Sequence, residues 1–128
     1  MNFSKAIAAY LKLVGAAVVI NLCAYPFYRE HQPENFDSWS VLNWFMASAL
    51  LLTLVTTWLR RSAAGTHDRN ARAMFIFAAA VTIPFVPNWF ADVVDGSDNL
   101  IMWYLIDSAM PILLWMEGHR LWKSGATR

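Results

Sequence analysis

The chain is 128 residues long, 58% hydrophobic and only 15% charged, with a formal net charge of +1. Soluble domains carry about 25% charged residues, and a body this small has too little interior to hide so much apolar surface. The composition argues against an ordinary water-soluble domain; the net charge identifies no partner, and no nucleic-acid partner is expected.

A membrane-crossing helix needs about 20 mostly apolar residues. Four stretches meet that length: residues 6–27, 39–59, 71–94 and 99–122. They predict an all-α integral membrane protein, an antiparallel bundle of four transmembrane helices in one domain. A soluble bundle would need a polar stripe along each helix. Runs such as Leu50–Val55 and Met74–Val81 have none.

The first segment begins after Lys5 and contains Lys12, Asn21 and the single cysteine, Cys23. One cysteine forms no internal disulfide and supplies no zinc or iron–sulfur pattern. The run exceeds the about 7–15 apolar residues of a signal peptide and has no clean cleavage site, so a mature helix is expected. The connection that follows holds Arg29 with Glu30, His31, Glu34 and Asp37.

The second segment carries Asn43 and leads into Arg60, Arg61, His67, Asp68, Arg69 and Arg72. Anionic lipid headgroups are the simplest partner for that inner loop. The third segment carries Thr82, Pro84, Pro87 and Asn88, then runs into Asp92, Asp95 and Asp98. Gly96 is expected to end this helix, and Ser97, Asp98 or Asn99 to cap the next. The acidic outer residues Asp92, Asp95, Asp98, Glu30 and Glu34 offer oxygen ligands to a hard cation, but their spacing matches no EF-hand loop.

Basic residues set orientation. Lys5, Arg60, Arg61, Arg69, Arg72, Arg120, Lys123 and Arg128 fall on one side and Arg29 alone on the other. The alternation predicts both termini in the cytoplasm, with the chain in the plasma (inner) membrane. Tyr25, Tyr28, Trp39, Trp44, Trp89, Trp103 and Tyr104 gather toward the outer ends, and Tyr10, Trp58 and Trp122 toward the inner ends. Amphipathic rings favour these interfaces.

The fourth segment holds the charges that matter most. Ionisable groups in hydrocarbon are costly and point to function by default. Asp107 lies about 12 Å below the outer end of its helix at 1.5 Å per residue. Asn21, Asn43, Thr82, Ser108 and Trp103 fall near its level and predict a candidate polar site with it. The structural alternative is an Asn21–Asp107 clamp with the carboxyl held neutral. Pro84, Pro87 and Pro111 each free a backbone carbonyl, and a break at Pro111 would open space beside Asp107. Glu117 and Lys12 fall at similar heights and predict an ion pair near the inner end.

No pair of histidines faces another across the spans, which argues against a bis-histidine haem, and no phosphate loop or nucleophile elbow occurs. No cofactor is expected. These absences favour an accessory or structural subunit of a larger membrane assembly, partnered by lipid and by other subunits or copies of itself. One alternative is a small oligomeric transporter or channel using Asp107. Another is a membrane enzyme on a lipid-like substrate, with Asp107 or Glu117 as acid or base.

Overall fold

The computed structural model describes residues 3–28, 38–64, 68–96 and 99–126, apart from the side chains of residues 28, 38, 64, 95, 100 and 124–126. They form four helices: α1 (Phe3–Tyr28), α2 (Ser38–Ala64), α3 (Arg69–Asp95) and α4 (Leu100–Ala126). Each expected apolar segment lies in a helix, apart from Asn99 at the start of the fourth. The helices overrun the apolar stretches most at the basic ends, where α2 continues through Arg60 and Arg61 and α4 through Lys123. A helix of this length spans about 40 Å, against about 30 Å of hydrocarbon, so the overrun leaves charged side chains clear of an apolar layer.

The stretches Phe3–Phe27, Trp39–Ala63 and Arg69–Val94 are long and apolar enough to cross a membrane. Only 28, 33 and 22% of their most apolar windows is buried inside the bundle. A water-soluble bundle would leave that much apolar surface wet; the three helices are compatible with a multi-pass membrane protein. α4, which carries Asp107 and Glu117, is not among the stretches that qualify by length and composition.

Neighbouring helices run antiparallel, as the order of contacts along each pair shows. Tyr25 meets Trp39 and Tyr10 meets Ser48 between α1 and α2. Trp44 meets Trp89 and Trp58 meets Phe75 between α2 and α3. Phe85 meets Trp103 and Asn88 meets Asn99 between α3 and α4. α1 packs most extensively on α4, whereas α2 and α4 approach across the short diagonal. The core runs down the middle through Leu11, Val18, Met46, Phe85, Met110 and Leu113.

Two glycines lie where α1 and α4 approach, and Gly118 faces the α1 backbone itself. A Cβ at Gly15 would come within 2.7 Å of Trp115 Cδ1, and one at Gly118 within 3.1 Å of the Ala8 carbonyl oxygen. Small residues let helix backbones meet where apolar burial alone gives no preference for a partner.

The turn from α3 to α4 follows from local chemistry. Gly96 adopts φ 71°, ψ 19°, and its N–H donates to the Ala91 carbonyl at 3.0 Å. This is the left-handed helix ending that favours glycine. Asn99 caps α4, its Oδ1 accepting from Met102 N–H at 3.1 Å. At the start of α3, Asp68 Oδ1 accepts from Ala71 N–H at 3.0 Å.

The expected break at Pro111 is not there: α4 is one helix from Leu100 to Ala126, and α3 runs unbroken through Pro84 and Pro87. Helices tolerate proline where packed neighbours surround the freed backbone groups, and Pro111 is itself buried.

Candidate functional site

Glu117 is fully buried, at 0% exposure, on α4. Arg120, one turn along, grips it with both ends of its guanidinium: Nε donates to Oε1 at 2.8 Å and Nη2 to Oε2 at 2.6 Å. Thr56 of α2 donates its hydroxyl to Oε2 at 2.5 Å across the diagonal. The carboxylate is thus held by a two-pronged ion pair and a hydroxyl, the arrangement that compensates for burying a charge. Beside it, Thr53 and Thr57 of α2 return their hydroxyls to the carbonyls of Ala49 and Thr53, at 2.9 and 2.7 Å.

The expected Lys12–Glu117 pair is not formed. Lys12 Nζ lies instead over the rings of Trp115 and Trp122, at 5.5 and 5.6 Å from their centroids. Arg120 is closer in sequence, sits on the same helix face three residues on, and carries the planar fork that fits a carboxylate. Glu117-x-x-Arg120 spacing was visible in the sequence and was the signal for this pair. Thr56 carried no such signal, because its role depends on how closely α2 and α4 approach.

Asp107 is 4% exposed. Its Oδ1 is buried and receives no hydrogen bond. Pro111 stands four residues on, so the Asp107 carbonyl also lacks its usual helical donor. Asn21 should lie beside it. Gly15 is level with Leu114 and Trp115, and Gly118 with Leu11 and Lys12; the same antiparallel register carries Asn21 to the level of Ser108 and Ala109, next to Asp107. Asn21 has interactions of its own, but its Nδ2 is buried and does not donate to Asp107. The expected clamp is therefore absent from the structure, while its donor and its acceptor both lie buried at adjacent levels.

The other expected members of this site have the following surroundings. Thr82 returns its hydroxyl to the Ala78 carbonyl at 2.7 Å. Ser108 does the same to Tyr104 at 2.7 Å and is exposed. Asn43 is buried on α2. Trp103 is packed edge-on against Phe85, with ring centroids 5.8 Å apart. Asn88, expected near this level, braces the turn instead: its Oδ1 accepts from Asn99 N–H at 2.7 Å and its Nδ2 donates to Asn99 O at 3.1 Å.

Of the acidic outer cluster, Glu30, Glu34 and Asp98 and the side chain of Asp95 lie outside the described residues; Asp92 is half-buried on α3 and has an interaction of its own. No group of three or more metal-ligating side chains occurs among the described residues. Compared with protein-family models, curated proteins and solved structures, the chain matches none.

Proposed function

We propose that the protein is a four-span membrane protein with both termini in the cytoplasm, acting as an accessory or structural subunit of a larger assembly in the plasma membrane, either with other chains or with copies of itself. The observation that carries this reading is the outward apolar surface. Large hydrophobic side chains are exposed on all four helices, among them Phe45, Trp58, Phe90, Trp115 and Trp122. Inside, close-packed aliphatic and aromatic side chains fill the middle. Such a body offers its outside, rather than an interior path, to its surroundings. Antiparallel order gathers Lys5, Arg60, Arg61, Arg69, Arg72, Arg120 and Lys123 at one end, in keeping with the positive-inside bias. Reading α4 as a fourth span is supported by its extensive packing along α1 and by Glu117 being buried in the bundle, held by Arg120 and Thr56. That engagement supports a structural role for Glu117.

A second reading stands on Asp107, whose buried acceptor has no donor. In a transporter, a channel or an enzyme acting on a lipid-like substrate, that carboxyl would meet a cation, a proton or a polar headgroup. One purification separates the two readings. The tagged protein is extracted in mild detergent, and the mass of the particle is measured by light scattering. A subunit gives a defined particle well above the 14.6 kDa of one chain, and an Asp107→Leu variant assembles and supports the assembly's activity as well as the parent. A lone chain in the extract overturns the subunit reading. An Asp107→Leu protein that folds and assembles but leaves the assembly inactive favours the second reading.

A further inference from the structure

Two carboxyls of α4 are buried, and their surroundings are opposite. Glu117 has Arg120 on both of its oxygens and Thr56 on one. Asp107 is almost as enclosed, yet its Oδ1 meets no donor. Its backbone carbonyl also loses its helical donor to Pro111. The hydroxyls nearest in level are spent on their own helices: Thr82 donates to Ala78 and Ser108 to Tyr104.

The neighbouring helices bring no counter-charge to this level. Between Lys12 and Tyr25, α1 has Cys23 as its one titratable side chain, and that thiol is exposed. α2 has none between Trp39 and Arg60, and α3 none between Arg72 and Asp92. On α4 itself, Tyr104 one turn back is exposed, and Glu117 stands ten residues on. Lys12 is level with Gly118, so Lys12 and Glu117 both lie about 15 Å from Asp107 along the bundle.

A carboxylate left ionised and unpaired in an apolar interior is costly, and a proton or a cation removes that cost. A metal cation wants several oxygen ligands, and no group of three or more metal-ligating side chains occurs among the described residues. A proton needs one oxygen. A carboxyl kept only for structure would be knitted in by donors, as Glu117 is; a buried acceptor left open calls for another explanation.

We infer that Asp107 is a proton-exchange site inside the bundle: its carboxyl stands as the neutral acid in this arrangement of the helices, releases the proton to water as hydronium and takes it back, with no other bond made or broken. This rests on the second reading above and deepens it, naming the proton as what Asp107 meets.

The test is infrared spectroscopy of the whole protein reconstituted in lipid at neutral pH, with Asp107→Asn and Glu117→Gln beside the wild type. The wild type should show the carbonyl stretch of a neutral carboxylic acid. Asp107→Asn should lose that band, and Glu117→Gln should keep it. Size-exclusion profiles check that each variant is folded, and isotope-labelled aspartate assigns the band in the wild type without any variant. On transfer to deuterated water, the band should shift before the helix amides exchange. A wild type without the band, or an Asp107→Asn protein that keeps it, overturns the site. A band that shifts only together with the amides marks a trapped structural acid and overturns the exchange. Loss of the wild-type band on adding sodium chloride at constant pH would give the site to a metal cation instead. The second reading fails separately: a fully active Asp107→Leu assembly, with the wild-type band present and exchanging, removes that reading and leaves the proton site standing.

Discussion

Arg120→Ala is expected to destabilise the protein by about 3–5 kcal/mol, the usual cost of leaving one partner of a buried ion pair behind. The asymmetry of the pair decides this. Glu117 has 0% side-chain exposure and cannot reach water, whereas Arg120 retains 27%. Without Arg120, the carboxylate keeps only the Thr56 hydroxyl. Adding Glu117→Gln to Arg120→Ala should recover most of the loss, because the buried charge is gone and Thr56 still has an oxygen to meet. Glu117→Gln alone should cost less than Arg120→Ala, since the half-buried guanidinium can turn outward. Unfolding titrations in detergent across the four proteins give the double-mutant cycle. Additive effects would show that the two side chains do not depend on each other. A parallel Lys12→Met variant should show little coupling to Glu117→Gln.

The second large effect is expected at the α1–α4 seam. Gly118→Val should cost about 3 kcal/mol, the upper range for overpacking. A Cβ at this position meets Lys12 Cγ at 3.0 Å, the Ala8 carbonyl oxygen at 3.1 Å and Leu11 Cβ at 3.6 Å. The carbonyl belongs to the α1 backbone, so relief requires the helices to separate. Gly15 provides the contrast. Its Cβ would come closer, 2.7 Å from Trp115 Cδ1, but Trp115 is an exposed side chain and can swing away. Alanine also gains up to about 1 kcal/mol over glycine in a helix. Gly15→Ala should therefore be near neutral and Gly118→Ala destabilising, the reverse of the order that distance alone suggests. Thermal unfolding in detergent ranks the three variants, and a Gly15→Ala protein less stable than Gly118→Ala would contradict the seam as described.

The helices were legible because apolar runs of membrane length leave few alternatives, and the basic and acidic ends punctuate them. Gly96, and Asn99 as one of three candidate caps, were legible for a local reason: a left-handed ending and a cap need only their neighbours in sequence. The partner of Glu117 was harder to find. Reasoning from depth placed Lys12 beside it, but depth fixes only one coordinate, and rotation about each helix axis fixes the other. Arg120 satisfies both by sharing the helix. The hydrogen-bond partners of the polar residues expected around Asp107 were likewise not legible. Thr82 and Ser108 stand near the right level yet bond their own backbones, as hydroxyls in helices readily do. Asp107 itself was found from sequence, because a carboxylate in the middle of an apolar run is conspicuous whatever surrounds it. The glycine seam went unread although Gly15 and Gly118 were in plain view. Their meaning lies in what would collide with a side chain, and that requires the partner helix.

The central claim is that α4 is a fourth span returning the chain to the side on which it began. Labelling with a membrane-impermeant thiol reagent tests it most directly. Cys23 is the single cysteine, so a Cys23→Ser background is silent. Single cysteines then replace Ala63 at the basic end of α2, Val94 at the far end of α3 and Lys123 at the basic end of α4; all three positions are exposed. In intact cells Val94→Cys should label, whereas Ala63→Cys and Lys123→Cys should label only after the membrane is permeabilised. Labelling of Lys123→Cys in intact cells, with Ala63→Cys still protected, would place the two ends of α4 on the same side and contradict the four-span account.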